Sequence, residues 1–473
     1  MSSLRRIIEV AAVPLVRGAT YMQAMRRILI GAILLLVVCA AVVAEEQKKD
    51  FRAAQHEVQT LLHSRRPEDR VTAMRRLKDL PPLDAARLVV QLGLDDRLPE
   101  VRGAAYQTLL GWKDQREVSD YLLKIAGKKG HGKTSAVGDA PSLVPLLMVL
   151  AASDQADVQR GLEKFVTSHL AGSKNNLAPL LAMADQLGEQ GDAAAVATLR
   201  HLTAWKQFTT VFAFRRAVVQ GLIHCRQVEA IDALVGLLGQ VDGEVHGDVV
   251  QYLSALTKMP YGDEINAWKF WWQKRKGDFS FDKPSAETAA PEVVVVPRAS
   301  YSYYGLAVRA RRLVFVIDIS GSMRGPRLDM AKRELTKVIG SLPSKHEFSI
   351  VVFDHLVVVW QRELVPATPA NKEAATQYVG RLQARGMTAT YDALDAAFHF
   401  DAEAIYFLTD GEPTCGRVVD PAQIATLATQ ANRSRRLSIY TIGIAPGLAG
   451  GIFDTFLKTL AEGNYGSYRR VEQ

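Results

Sequence analysis

The sequence predicts a two-part chain, an all-α helical-repeat solenoid followed by a doubly wound α/β domain. Three observations carry this expectation. From about Phe51 to Phe279 apolar residues recur with helical spacing and almost never alternate as in a strand. Within that region short stretches repeat at shifts of 31 and 32 residues. From Arg312 onward continuous apolar runs alternate with amphipathic segments, as parallel strands joined by helices do.

The N-terminus reads as an export signal. Arg26 and Arg27 precede an unbroken apolar run, Ile28 to Ala44, which stops abruptly at Glu45-Glu46-Gln47-Lys48-Lys49-Asp50. A positive segment, an apolar core and small residues ahead of a charged stretch define a secretory signal. Val42 and Ala44 suit a cut before Glu45, and Met22 or Met25 would shorten the long leader to an ordinary length. The apolar run also just reaches spanning length, so residues 1–44 are assigned as a signal peptide or signal anchor. A lipoprotein reading of Leu36-Val37-Val38-Cys39 is weaker, because the residue before the cysteine is not small. The expected location is exported, either periplasmic or at the cell surface, with possible membrane anchoring by this segment.

Five arginines against one glutamate in residues 1–44 supply half of the chain's net charge of +8. The rest of the chain has no stretch that concentrates Lys and Arg with aromatic residues, which argues against a nucleic-acid partner. With 48% hydrophobic residues there is ample material for a core. Cys225 and Cys415 fall in different predicted domains and read as two separate thiols; a disulfide between them is the alternative.

Residues 50–282 form the predicted helical region. Pro67-Glu68-Asp69-Arg70 through Leu77 aligns with Pro99-Glu100-Val101-Arg102 through Leu109, and Ala217 to Leu222 aligns with Asp248 to Leu253. Another amphipathic stretch lies between the members of each pair, such as Ala85 to Leu92 or Ala230 to Leu238. One such helical pair cannot bury its own apolar face, so neighbours complete the core by stacking. The Pro-x-x-Arg helix start resembles that of HEAT-like repeats, with a shorter period. Trp268, Trp271 and Trp272 share one helical face and read as a bulky helix closing the stack. Lys283 to Pro291 is rich in Pro, Ala, Ser and Thr, so 283–300 is expected to be a flexible linker.

In residues 301–473 the expected elements follow in order. Leu313 to Ile317 is a buried strand, Leu328 to Ile339 a helix, Phe348 to Phe353 a strand and Leu356 to Trp360 its apolar partner. Asn371 to Leu382 and Tyr391 to Phe400 are helices, Ala404 to Leu408 a strand and Pro421 to Ala431 a helix. Leu437 to Ile442 is a strand, Phe453 to Ala461 the last helix and Tyr465 to Val471 a final strand. A ligand site in such a sheet lies beyond the carboxyl ends of its strands.

Directly at the end of the first strand stands Asp318-Ile319-Ser320-Gly321-Ser322. Oxygen-bearing side chains at alternate positions, with glycine allowing a tight turn, can converge on one hard cation. Thr388, on a loop entering a helix, and Asp410, just past a later strand, can reach the same rim. These segments, from about Tyr301 to the end, resemble a von Willebrand factor type A domain and its metal-ion-dependent adhesion site. Carried over, Asp318, Ser320, Ser322, Thr388 and Asp410 are the metal-binding residues, with Thr390 the alternative to Thr388. The resemblance implies Mg²⁺, or Mn²⁺/Ca²⁺, with the serines and threonine touching the ion directly or through water and the acids often acting through water. It also implies an open coordination position completed by an acidic side chain of a partner protein. Helix capping by the serines is the plainer alternative, and it does not account for all five positions together.

Other motifs are set aside. Gly127 to Thr134 satisfies the phosphate-loop expression but sits amid helical repeats, so a basic inter-repeat loop is expected. Asp318 lacks the second acid two residues on that a phosphoaspartyl nucleophile needs. Neither Ser320 nor Ser322 lies in a Gly-x-Ser-x-Gly turn. The expected function is therefore an exported, non-enzymatic protein-binding scaffold, with an accessory or regulatory subunit of an enzyme or ATPase complex as the alternative.

Overall fold

Proline punctuates the start of the helical region. The computed structural model describes residues 56–130, 143–170, 177–281, 301–445 and 450–472. The signal or anchor of 1–44, the linker of 283–300 and residues 131–134 of the phosphate-loop match lie outside them. No helix among the described residues is long and apolar enough to cross a membrane. The chain divides after Val118 into two compact units.

In the first unit, α1 (Pro67–Arg76), α2 (Pro82–Leu88) and α3 (Pro99–Leu110) each begin on proline, whose missing N–H costs nothing there. The aligned arginines play matching parts, each tying its helix to the loop before it. Arg70 Nη1 donates to the Ser64 carbonyl at 2.9 Å, and Arg102 Nη1 to the carbonyls of Asp96 and Arg97 at 2.9 Å each. Arg70 Nε also reaches Asp96 Oδ2 at 2.8 Å, stitching one repeat to the next. The α4 helix (Arg116–Gly130) follows and includes the first four residues of the phosphate-loop match. The loop expected there is thus helical as far as Gly130, as the buried face of Val118, Leu122 and Ala126 carries the helix forward.

The second unit begins within α4 and continues with α5 (Leu143–Ala151), α6 (Ala156–Phe165), α7 (Ala178–Gln190), α8 (Ala193–Leu202) and α9 (Lys206–Thr210). Then come α10 (Phe212–His224), α11 (Val228–Leu237), α12 (Gly243–Thr257) and α13 (Ile265–Arg275). Helices α7 and α10 cross at glycines, where a Cβ on Gly188 would lie 2.8 Å from Gly221 Cα. On α13, Trp268, Trp271 and Trp272 are buried, and Trp272 Nε1 donates to Asp232 Oδ1 at 3.1 Å. Their role is packing against α11. Cys225 and Cys415 are both free thiols.

The α/β part begins with a small hairpin, β1 (Ser302–Tyr303) and β2 (Leu306–Ala307), which the sequence pattern did not predict. The main elements are β3 (Arg312–Asp318), α14 (Pro326–Ser341), β4 (Glu347–Phe353), β5 (Val357–Val359), β6 (Val365–Pro366), α15 (Pro369–Gly380) and α16 (Thr390–Phe398). They end with β7 (Ala404–Thr409), α17 (Pro421–Asn432), β8 (Ser438–Ile444), α18 (Ile452–Glu462) and β9 (Tyr468–Val471). The sheet order is β5-β4-β3-β7-β8-β9, parallel from β4 to β9, with β5 and β6 antiparallel on β4.

Alternate residues of β3 feed two cores. Leu313, Phe315 and Ile317 pack with α14 and α15, while Val314 and Val316 face α16, α17 and α18. Burial on both faces is why this strand reads as an unbroken apolar run. The chain moves from β3 outward to β4, then returns to β7 on the other side of β3. The gap between the carboxyl ends of β3 and β7 is therefore the switch point where doubly wound sheets bind ligands.

The opposite, amino end of the sheet is gripped by α10 and α12. Arg216, fully buried, holds Asp248 by two bonds of 2.7 and 2.8 Å. It also donates to the Arg436 carbonyl at 2.8 Å and to Ser438 Oγ at 3.0 Å, and stacks 4.3 Å from the Tyr465 ring centre. Glu244 Oε2 accepts from Ser438 Oγ at 2.8 Å and from the Tyr440 hydroxyl at 2.7 Å. Arg311 pairs with Asp242 at 2.6 Å. Gly247 admits Arg309, whose Cδ would lie 2.8 Å from an added Cβ.

Candidate metal centre

Three loops meet at the carboxyl rim. The first leaves β3 at Asp318 and turns through Gly321, whose N–H donates to the Gly386 carbonyl of the second loop at 3.1 Å. Arg385 N–H donates to the Ile319 carbonyl at 2.8 Å, a second tie between these loops. The third loop leaves β7 at Thr409 and carries Asp410.

The side chains then converge. Ser320 Oγ lies 3.0 Å from Ser322 Oγ, and Ser322 Oγ donates to Asp410 Oδ1 at 2.8 Å. Asp318 sits beneath them, fully buried, its Oδ1 accepting from Ser320 N–H at 2.7 Å and its Oδ2 from Thr409 Oγ1 at 2.5 Å. Burial pushes the Asp318 carboxyl up to about 7; the bonds from Thr409 and Ser320 pull it down, and the nearby Asp410 charge adds to the rise. Of the five predicted residues Ser322 is exposed and the other four are buried, so the cluster opens outward at Ser322. A Cβ on Gly411 would lie 3.4 Å from Ser322 Oγ, in ordinary van der Waals contact, which places the third loop directly against the first.

Thr388 reaches the rim by its backbone. Its N–H donates to Thr414 Oγ1 at 2.9 Å, and its carbonyl accepts from Thr414 N–H at 3.0 Å. Two residues away, Gly386 touches the first loop. Thr390 is the first residue of α16; its Oγ1 is buried without a hydrogen-bond partner.

Sequence reasoning missed the residues that brace these five. Arg327, at the start of α14, donates to Asp410 Oδ2 at 2.6 Å, leaving Oδ1 for Ser322. Asp354, just past β4, accepts from Arg385 Nε at 2.8 Å, and its carbonyl receives Ala389 N–H at 2.9 Å. Asp354 was findable, since it too follows a parallel strand. Arg327 was not, because its reach depends on how α14 is turned.

Hydroxyl and carboxylate oxygens without nitrogen or sulfur suit a hard divalent cation. The donor set therefore fits Mg²⁺, and a buried acid with a raised pKa is one that a cation would help keep ionised.

Residues 311–470 match the family model for the von Willebrand factor type A domain. Domains of this family mediate protein–protein interaction and commonly bind a divalent metal. The chain is 33% identical over 175 residues to inter-alpha-trypsin inhibitor heavy chain H1 of Mesocricetus auratus, covering 34% of this chain and 18% of that protein. Over 185 residues it is 31% identical to heavy chain H4 of Homo sapiens, covering 36% and 19%. The chain thus spans about a fifth of the length of the curated relatives it matches. Among solved structures, a von Willebrand factor type A protein from Catenulispora acidiphila is 25% identical, with a TM-score of 0.31, covering 35% of this chain and 40% of that one. Residues 311–470 are a von Willebrand factor type A domain, homologous to part of the inter-alpha-trypsin inhibitor heavy chains and joined here to an N-terminal helical region.

Proposed function

We propose that this chain is an exported, non-enzymatic binding scaffold whose α/β domain captures an acidic side chain of a partner protein through a divalent cation. Asp318, Ser320, Ser322, Thr388 and Asp410 hold the ion, Mg²⁺ or in its place Mn²⁺ or Ca²⁺. The observation that carries this is the contact of Ser322 Oγ with Ser320 Oγ at 3.0 Å and Asp410 Oδ1 at 2.8 Å. Ser322 and Asp410 lie 88 residues apart in the chain, and only the sheet topology unites them.

Each residue has a distinct part. The serines and Thr388 would offer neutral oxygens, which cancel less of the ion's charge than further carboxylates would. Asp318 supplies negative charge from beneath, its two oxygens already committed to Ser320 and Thr409. Arg327 orients Asp410 and offsets part of its charge. The ion's chemistry is that of a Lewis acid holding a carboxylate, with no bond broken. Export rests on the charge and apolar pattern of residues 26–44.

Isothermal calorimetry with MgCl₂ tests the metal site. Wild type should bind one Mg²⁺, and Asp410→Ala and Ser322→Ala should weaken it by about tenfold or more, as loss of ligands or of their supports does elsewhere. Equal heats from wild type and both variants would contradict the proposal.

A further inference from the structure

Large exposed apolar side chains are few among the described residues, and they are not evenly spread. Seven occur among the described residues, and three of these, Leu356, Met387 and Val419, lie on loops that form or follow the metal rim. Met387 is 54% exposed and stands between Gly386, which bonds to Gly321, and Thr388. Leu356 is 55% exposed on the turn after β4. That turn is fixed by Leu356 N–H to Asp354 Oδ1 at 2.7 Å and Asp354 N–H to the Leu356 carbonyl at 2.9 Å. It is also pinned to the Thr388 loop, through the Asp354 carbonyl and Ala389 N–H and through His355, which packs so close to Gly386 that an added Cβ would lie 2.3 Å from its Nδ1. Both apolar side chains are therefore presented on braced backbone, where they cost solvation and add nothing to the core.

Charge narrows what could cover them. Around the rim Asp410, Asp354, Asp392 and Asp395 are each bonded to an arginine, Arg327, Arg385 or Arg417. Arg324, two residues beyond Ser322, is exposed and forms no ion pair among the described residues. Glu412, also exposed, stands on the Asp410 loop. The side of the rim formed by the first two loops and the β4 turn thus exposes Met387 and Leu356 beside the unpaired Arg324 and the Asp354-bound Arg385, and the Asp410 side carries the exposed acid.

We propose that the partner is a protein segment whose metal-binding Asp or Glu is flanked by apolar side chains, which seat on Met387 and Leu356 while Arg324 favours its negative charge. This rests on the metal reading above and adds a specificity element to it. An acid in a basic or polar context would gain the ion's attraction alone.

The test uses the full chain and fluorescein-labelled peptides carrying a central Glu between Leu residues, between Ser residues or between Lys residues, read by anisotropy in MgCl₂ and in EDTA. In Mg²⁺ the Leu-flanked peptide should bind about tenfold or more tighter than the Ser-flanked one, the scale of burying one or two apolar side chains. Leu356→Ser combined with Met387→Ser should abolish that preference, and calorimetry with MgCl₂ on the same variant reports separately whether the ion is retained. Equal binding of the three peptides, tighter binding of the Lys-flanked one, no binding of any, or a preference that survives in a variant that retains Mg²⁺ would each overturn the proposal. Should the Leu preference persist unchanged in EDTA, the metal reading fails while the apolar seat stands.

Discussion

Asp318 is a buried carboxyl held by Ser320 and Thr409, with an ordinary acid's pKa raised to about 7 by burial. Unfolded, such a group loses its proton near 4. Between these values the folded state binds more protons, so this group's contribution to stability falls as pH rises from about 4 to about 7. A cation in the site should oppose that loss by favouring the ionised form. Urea unfolding in EDTA at pH 5 and pH 7.5, for wild type and Asp318→Asn, measures the term by difference. Wild type should lose stability relative to the variant at the higher pH, and MgCl₂ should restore it; an identical pH response in both proteins would contradict the assignment. The five oxygen-bearing residues stand out in the sequence because each lies at or near the carboxyl end of a strand or at the mouth of a helix, in a fixed order. Arg327 and Thr409 were not, as their roles depend on which way a helix and a strand end are turned, and no spacing encodes that.

At the scale of elements, periodicity carried most of the information. The β3 run from Leu313 to Ile317 is continuous because both of its faces are covered, and the sequence expectation for it matched the strand to within a residue at either end. Short pairings escaped: β1, β2 and β6 are two residues each, too brief for any alternation to show. Nor did spacing reveal why Gly188 and Gly221 stand where α7 meets α10. Their absent side chains let two backbones approach, and Gly188→Ala would place a methyl 2.8 Å from Gly221 Cα, where no flexible side chain can yield. Overpacking of this kind costs about 1–3 kcal/mol. Urea unfolding of Gly188→Ala should show a loss in that range, whereas Gly236→Ala, whose added Cβ meets nothing within 4 Å, should not be destabilised by crowding.

For the second unit as a whole, the helices do more than precede the α/β domain. Through Arg216, Glu244 and Asp248 they are bonded to the amino end of its sheet, the end opposite the metal rim. The rim is left clear of this contact. Composition could not foretell the arrangement, because a buried arginine reads in sequence like any helix-surface arginine until its partners, some 220 residues away, are known. Arg216→Met would remove the countercharge from Asp248 and Glu244 and strand the Arg436 carbonyl, a loss of about 3–5 kcal/mol by the usual cost of breaking a buried pair. Urea unfolding of the full chain checks this, and a loss under about 1 kcal/mol would show that the network is not what joins the helices to the sheet.

The most direct test of the metal site is an anomalous difference map from crystals of the full chain grown in MnCl₂. One strong peak is expected between Ser320 Oγ and Ser322 Oγ, with Thr388 and Asp410 around it and Asp318 beneath. A map without a peak there, or with Thr388 and Asp410 turned away from the ion, would contradict it.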